Sequence, residues 1–324
     1  MSSAIRIHQP GGPEVMQWEE APVAEPGPGE VRVRHTAIGV NYIDTYHRSG
    51  LYPLPLPAII GREAAGIVEA LGPNVTEFAP GDRVTYCTGS LGAYAEARSV
   101  PAERLIKLPD RITDAQAASM MLKGLTVQYL LRRTYPLKAG DTILLHAAAG
   151  GVGLIACQWA KALGVTVIGT VGSDEKAELA KAHGCTHTIV YTRENFTERT
   201  RELTGGKGVP VVYDGVGKDT FMGSLDALSK FGLMVSYGNA SGPVTGLNVG
   251  VLAGKGSLYL TRPTLDTYTT TREELLAMAG DLFSLVLAGK IKVEPSLTFA
   301  LKDAAEAHRA LESRQTTGSI ILLP

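Results

Sequence analysis

Between about Gly124 and Asn239 the sequence alternates between short apolar runs and amphipathic stretches. "DTILLHA", "VTVIGTVG", "HTIVY", "VPVVYDGVG" and "GLMVSYGN" read as strands. "GGVGLIACQWAKALG", "DEKAELAKAHG", "NFTERTRELTGG" and "DTFMGSLDALSK" read as the helices between them. Strands that are apolar throughout are buried on both faces, and intervening helices are what cover them. The segment therefore predicts an α/β, doubly wound parallel sheet.

The first strand turns into the first helix through "HAAAGGVG", His146 to Gly153. Aligned on G-x-G-x-x-G, Ala148 replaces the first glycine, followed by Gly150, Gly151, Val152 and Gly153. A strand before, a helix after and a second strand soon after give the βαβ setting in which backbone N–H groups at a helix start face a pyrophosphate. Tight packing of a helix without any ligand uses the same small residues. An Asp or Glu that holds the ribose hydroxyls of NAD usually follows the second strand. Here that strand ends in Val171, Gly172 and Ser173, and Asp174 and Glu175 come late. Lys176 in the next helical turn and Tyr191 after the following strand would suit the 2′-phosphate of NADP, which an acid repels. Lys176 also reads as a solvated helix residue, so NADP is favoured over NAD without being required.

The part before Gly124 is rich in short strands ("EVRVRHTAIGV", "AAGIVEAL") separated by turns, and "LYPLPLPAII" reads as an extended loop. After "GSLYLT" come two helices, "TREELLAMAGDLFSLVLAG" and "KDAAEAHRALESR", and the strand "SIILL". These tail elements are too few for a core of their own, so they are expected to return to the β-rich part. The expected domains are 1–123 with 263–324, and an inserted 124–262.

Charge balance, 31 Lys plus Arg against 32 Asp plus Glu, argues against nucleic acid or an anionic membrane as partner. The start "MSSAIRIHQP" carries no secretion signal, which makes the cytoplasm the expectation. The uncharged run Thr142 to Ala160 approaches bilayer-spanning length, but its glycines, His146 and Gln158 and its change of pattern halfway argue against a span. Cys87, Cys157 and Cys185 are widely spaced and suggest neither disulfides nor a cysteine metal site.

Four motifs, "GVNYIDTYHRSGLYP" (39–53), "GREAAGIVEALG" (61–72), "GDTILLHAAAGGVGLIACQWAKALG" (140–164) and "DAAEAHRALESRQTTG" (303–318), run through the chain in family order. The chain resembles the medium-chain dehydrogenase/reductase superfamily, in its zinc-independent quinone oxidoreductase and zeta-crystallin branch. The resemblance implies a discontinuous GroES-like β-rich catalytic domain around an inserted Rossmann domain. Zinc-dependent relatives carry a cysteine in the first motif and G-H-E in the second. Here Asn41 and Asp44 stand in the first and Arg62 replaces the histidine in the second. A catalytic zinc needs about three protein ligands; His35, His47 and His146 are left as stray candidates and read as structural. No metal is expected.

Without a metal, hydride transfer suits an acceptor that is already electron-poor. The resemblance implies NADPH as cofactor and a quinone as substrate, with alkenal or enone reduction as the alternative. A nucleotide- or RNA-binding crystallin-like role is the non-enzymatic one. Carried over residue by residue, Asn41, Tyr42, Ile43 and Tyr46 would line the nicotinamide side, and Thr126 would touch the nicotinamide. Gly151 and Val152 would meet the pyrophosphate, flanked by Gly150 and Gly153. Gly172, Ser173, Lys176 and Tyr191 would hold the adenosine phosphate. Val216, Gly238, Asn239 and Ser241 would flank the cofactor, and Pro263, Thr264, Leu265 and Arg314 would close over it. Tyr46 could donate a proton to the reduced quinone or only pack against a ring, Asn41 could orient the same oxygen as a neutral donor, and Tyr52 is a weaker third candidate. The family also implies a homodimer, for which "GSLYLT" offers an exposed sheet edge.

Overall fold

The computed structural model describes residues 2–324. The chain divides into two compact units, one reaching to Leu125 and including 269–287 and 293–324, the other comprising 126–268 and 288–292. The breaks thus fall after Leu125 and Tyr268, rather than after 123 and 262, and a short return belongs to the second unit.

The first unit opens with β1 (Ser2–Ile7), β2 (Gln17–Ala21), β3 (Glu30–Val40), α1 (Tyr42–Ser49), β4 (Ala58–Ile59), β5 (Glu63–Leu71), β6 (Arg83–Tyr86), β7 (Ala97–Pro101) and β8 (Ile106–Lys107). In β3 the alternation of "EVRVRH" does what its period predicts: Val31 and Val33 are buried while Arg32 and Arg34 face outward. Helix α2 (Asp114–Tyr129) runs across the break between the units.

The second unit carries β9 (Thr142–Leu145), α3 (Gly151–Ala162), β10 (Thr166–Val171), α4 (Asp174–Ala182), β11 (His187–Val190), α5 (Phe196–Leu203), β12 (Val209–Asp214), α6 (Phe221–Ala227), β13 (Leu228–Ser236), α7 (Gly250–Gly254), β14 (Tyr259–Thr261) and α8 (Leu265–Tyr268). Its six strands are all parallel, in the order β11-β10-β9-β12-β13-β14. Leu144, Ile168, Ile189 and Val212, one from each of four neighbouring strands, are fully buried. Each such side chain contributes about 1.5–3 kcal/mol of burial free energy. The winding direction reverses between β9 and β12, which is where open α/β sheets form their ligand crevice.

The chain returns to the first unit through α9 (Arg272–Leu287), β15 (Pro295–Ala300), α10 (Ala304–Glu312) and β16 (Ser319–Leu323). Strand β16 pairs antiparallel with β3 and parallel with β15, closing a seven-stranded sheet. The tail does pack back on the β-rich part. One expected boundary moves: "DTFMGSLDALSK" is helical only to Ala227, because Leu228 is buried and already pairs with Val209 of β12. The uncharged run 142–160 is shared between β9, the turn and α3, and among the described residues no helix is long and apolar enough to cross a membrane.

Candidate functional site

The turn after β9 is built by its small residues. Ala147 takes a left-handed φ of 54°, and the N–H groups of His146 and Ala148 bond to Tyr213 and Thr170, on the strands either side. Gly150 caps α3 without a side chain, and no acid stands in the first helical turn. The first N–H groups of any helix lack partners within it, so this end presents donors and a positive dipole. A Cβ on Gly153 would lie 2.3 Å from the Ala147 carbonyl oxygen and 2.6 Å from the Ala148 carbonyl carbon. That glycine is demanded by the closeness of helix to turn, whereas Gly151 and Val152 are half-buried at the exposed end.

Behind the turn, His146 is buried and both its ring nitrogens are engaged, Nδ1 with Thr170 and Nε2 with Ser224, each at 2.9 Å. The Ser224 hydroxyl donates to Asp214 (2.9 Å), whose other oxygen accepts the N–H groups of Val216 (2.8 Å) and Gly217 (3.0 Å). The loop after β12 is therefore held from below by a buried carboxylate. The loop after β13 packs on it: the Ser241 hydroxyl donates to the Val216 carbonyl at 2.9 Å, and a Cβ on Gly238 would lie 2.4 Å from the Gly215 carbonyl oxygen. Asn239 accepts from the Gly242 N–H at 2.9 Å in the same loop.

After β10, Ser173 is the N-cap of α4, its hydroxyl accepting from the Lys176 N–H at 3.3 Å. Lys176 is half-buried, and burial lowers its ammonium from the ordinary lysine value. Tyr191 is 50% exposed, and a Cβ on Gly172 would lie 2.9 Å from its hydroxyl oxygen. Asp174 does not project alone: Arg193 grips it with both guanidinium nitrogens, Nη1 at 2.7 Å from one oxygen and Nη2 on the other. Sequence reasoning missed Arg193, although the signal was in "YTRE", a cation two residues past Tyr191. Pro263 is buried and Thr264 exposed just past β14, with the Thr264 hydroxyl bonded to that of Thr267 (3.0 Å), and Leu265 opens α8. Thr126 is buried where the second unit begins. The glycine turn, residues 172–176 with Tyr191, the paired loops and residues 263–265 thus all follow the carboxyl ends of strands of one sheet.

In the first unit Asn41 precedes α1, and the Asp44 carboxylate accepts its backbone N–H at 2.8 Å. Tyr42 and Tyr46 stand on one face of α1 with ring centroids 6.5 Å apart, Tyr46 meets Tyr52 edge-on at 5.3 Å, and Ile43 is half-buried beside them. The Tyr42 hydroxyl donates to the Leu311 carbonyl at 3.0 Å, near exposed Arg314 with its φ of 58°. On the opposite face Asp44 and Arg48 are buried: Tyr94 donates to Asp44 (3.2 Å) and bonds His308 (2.9 Å), while Arg48 reaches His308 Nδ1 (2.9 Å) and Glu312. Burial pushes the Asp44 carboxyl up to about 7 and holds His308 down to about 3. The Asn41 amide nitrogen donates to Glu63 at 2.8 Å, so one of the hydrogens expected to face a substrate is turned inward.

The residues present do not fit a zinc ion. His35 is bonded to the Ala95 carbonyl and to Tyr86, His146 is engaged as described, and His47 packs against Tyr52. Among the described residues no group of three or more His, Cys, Asp or Glu is placed to hold a metal. They do fit an NADP nucleotide on the second unit: a turn of alanines and glycines at the start of a 12-residue helix, and lysine, serine, tyrosine and arginine beyond the next strand.

A GroES-like β-rich unit and a Rossmann unit in one chain define a nucleotide-dependent dehydrogenase or reductase. Residues 27–110 match the alcohol dehydrogenase GroES-like domain family and residues 151–278 the zinc-binding dehydrogenase family. The chain is 60% identical to a quinone oxidoreductase of Pseudomonas aeruginosa, covering 100% of both chains. It is 54% identical, with a TM-score of 0.98, to the crystal structure of Escherichia coli quinone oxidoreductase complexed with NADPH, covering 99% of this chain and 100% of that one. A 2-haloacrylate reductase from a Burkholderia species is 50% identical over 100% of this chain and 99% of its own length. The chain belongs to the quinone oxidoreductase branch of the medium-chain dehydrogenase/reductase superfamily.

Proposed function

We propose that this chain is an NADPH-dependent quinone reductase. The observation that carries the reading is the full-length likeness to quinone oxidoreductases, one of them solved with NADPH. When bound, NADPH supplies a hydride, and a quinone that receives it needs one further proton to become the hydroquinone. The chain's own residues bind and orient. Backbone N–H groups at Gly151 and Val152 meet the pyrophosphate, and Lys176, Ser173, Tyr191 and Arg193 hold the 2′-phosphate through charge-assisted hydrogen bonds. Val216, Gly238, Asn239 and Ser241 form the wall beside them. Tyr46, 8% exposed, carries a phenol suited to donate to the developing oxyanion, and the Asn41 carboxamide orients the same region. Steady-state oxidation of NADPH with 1,4-benzoquinone or a naphthoquinone tests the reading.

The second reading, reduction of an alkene conjugated to a carbonyl, is favoured by the 2-haloacrylate reductase relative. Robust turnover with an enal or a haloacrylate and none with any quinone would select it. A homodimer is also proposed. Among the described residues β14 pairs only with β13, leaving one edge open, and Tyr259 on it is 62% exposed. An open strand edge with an apolar side chain suits a second copy of itself across a twofold axis.

A further inference from the structure

Glu63 begins β5 opposite Gly39 of β3, and its carboxylate is wholly buried. Gly39 makes the room: a Cβ there would lie 2.2 Å from Glu63 Oε2 and 2.3 Å from the Ala118 carbonyl oxygen of α2. The carboxylate receives the Leu122 N–H on Oε1 at 2.7 Å and the Asn41 amide nitrogen on Oε2 at 2.8 Å. Lys123, next along α2, brings its ammonium to 3.6 Å from Oε2, with its side chain 8% exposed. At that distance the nitrogen is just outside hydrogen-bond reach, and its main influence on Glu63 is that of charge.

The chemistry of the donors decides the state of the acid. The two groups that bond Glu63 are both donors and a cation stands 3.6 Å away, which suits a carboxylate better than a protonated carboxyl. A buried carboxylate without a neighbouring cation takes up a proton instead of holding its charge. Burial does press Glu63 in that direction, and Lys123 is the largest influence against it. A protonated Glu63 would offer O–H where Asn41 offers N–H, and the amide could no longer face it with nitrogen.

We propose that Glu63 and Lys123 are positioning residues for Asn41: the buried ammonium keeps the carboxylate ionised, and the carboxylate fixes the rotation of the Asn41 carboxamide. The inference rests on Asn41 lying at the reacting site. Lys123 then acts on the reaction through two other side chains, and neither it nor Glu63 exchanges a proton with substrate.

The test uses the full-length protein with NADPH and 1,4-benzoquinone, and the variants Lys123→Met and Lys123→Met/Glu63→Gln. With the cation gone, kcat at low pH should fall about tenfold or more, the scale of a misoriented catalytic group, and climb toward wild type as rising pH ionises Glu63. The double variant fixes a neutral group at position 63, one carbonyl oxygen and one NH2 facing the Asn41 and Leu122 donors, so its kcat should stay near the low-pH value of Lys123→Met at every pH. Asp44 on α1 faces the same cluster and is itself influenced by Glu63 and Lys123, with Tyr94 behind it. Rates are therefore read as variant-to-wild-type ratios. A pH dependence that survives in the double variant belongs to Asp44 and overturns the proposal, as does a Lys123→Met enzyme with the wild-type profile.

Infrared difference spectra give a readout apart from turnover. Wild type minus Glu63→Gln at pH 7 should contain a carboxylate band and no protonated carboxyl band from Glu63; the opposite result overturns the proposal even if Lys123→Met fails to fold. If wild type reduces an enal and no quinone, the substrate reading fails, and the same ratios measured with the enal still decide the role of Lys123.

Discussion

Lys176 owes its place to Ser173, which caps the helix that carries it, so the residue two past the end of β10 also aims the first cation. A charge-assisted bond from lysine to a phosphate is worth about 1.5–3 kcal/mol, or roughly 10- to 100-fold in affinity. Lys176→Ala should raise the KM for NADPH by that factor and leave the KM for NADH nearly unchanged, as paired steady-state titrations will read; equal effects on both would remove Lys176 from the 2′-phosphate. Asp44 carries the second prediction at this scale. Its folded carboxyl, at about 7, holds a proton that the unfolded chain, at 3.8, releases earlier. The stability it contributes is complete below pH 3.8, is lost as pH rises through 7, and is level above that. Asn41, Tyr94, Glu63 and Lys123 face it, and an amide there can still accept from the Asn41 N–H and the Tyr94 hydroxyl. Asp44→Asn should therefore gain on wild type between pH 4.5 and pH 8 by a few kcal/mol at most, measured by urea unfolding at both pH values. A constant difference would place the Asp44 carboxyl in the ordinary acidic range.

At the scale of the elements, α3 meets its own turn at Gly153. Alanine favours a helix interior over glycine by about 1 kcal/mol. Here the new Cβ would press on backbone atoms of Ala147 and Ala148, which have no rotamer to yield. Gly153→Ala should then destabilise the protein by about 1–3 kcal/mol in urea unfolding, against its helix propensity, and raise the KM for NADPH as the turn shifts. Gain in stability would show that the turn relaxes freely. The same contrast between local and distant causes explains what the sequence discloses. The Rossmann order was legible because burial on both faces leaves apolar strands of period one, such as "TILL" and "TVIGTV", between amphipathic helices. The glycine turn was legible because its neighbours on the chain are also its neighbours in space. The end of α6 was not, since Leu228 leaves the helix to pair with Val209, a partner across a crossover. Nor was the setting of Asn41, whose amide meets Glu63 from another strand and, through it, Lys123 from a helix. Arg193 and Asp174 likewise come together only because β10 and β11 lie side by side.

For the molecule as a whole, the proposed cofactor site and the proposed dimer would draw on two different borders of one sheet in the second unit. Site loops leave from the carboxyl ends of the strands, while β14 stands at the lateral edge with Tyr259 outward. In the proposed dimer, Tyr259→Arg places like charges close to the twofold axis. Sedimentation equilibrium should then move from a dimer toward the single-chain mass of 34.3 kDa, with NADPH affinity little changed. A wild-type protein already at that mass would end the dimer proposal.

The grip of Arg193 on Asp174 also bears on how the cofactor preference could be rewritten. Converting an NADPH enzyme to NADH normally begins by installing an acid beside the ribose. This chain carries an acid close by in sequence, Asp174 at the start of α4, held by an exposed two-pronged clamp from Arg193 that adds little to stability. Changing preference is thus a matter of unlatching rather than building. Arg193→Ser should weaken NADPH and strengthen NADH in one step, and fluorescence titration with both nucleotides will tell whether the released acid takes hold of the ribose or stays idle.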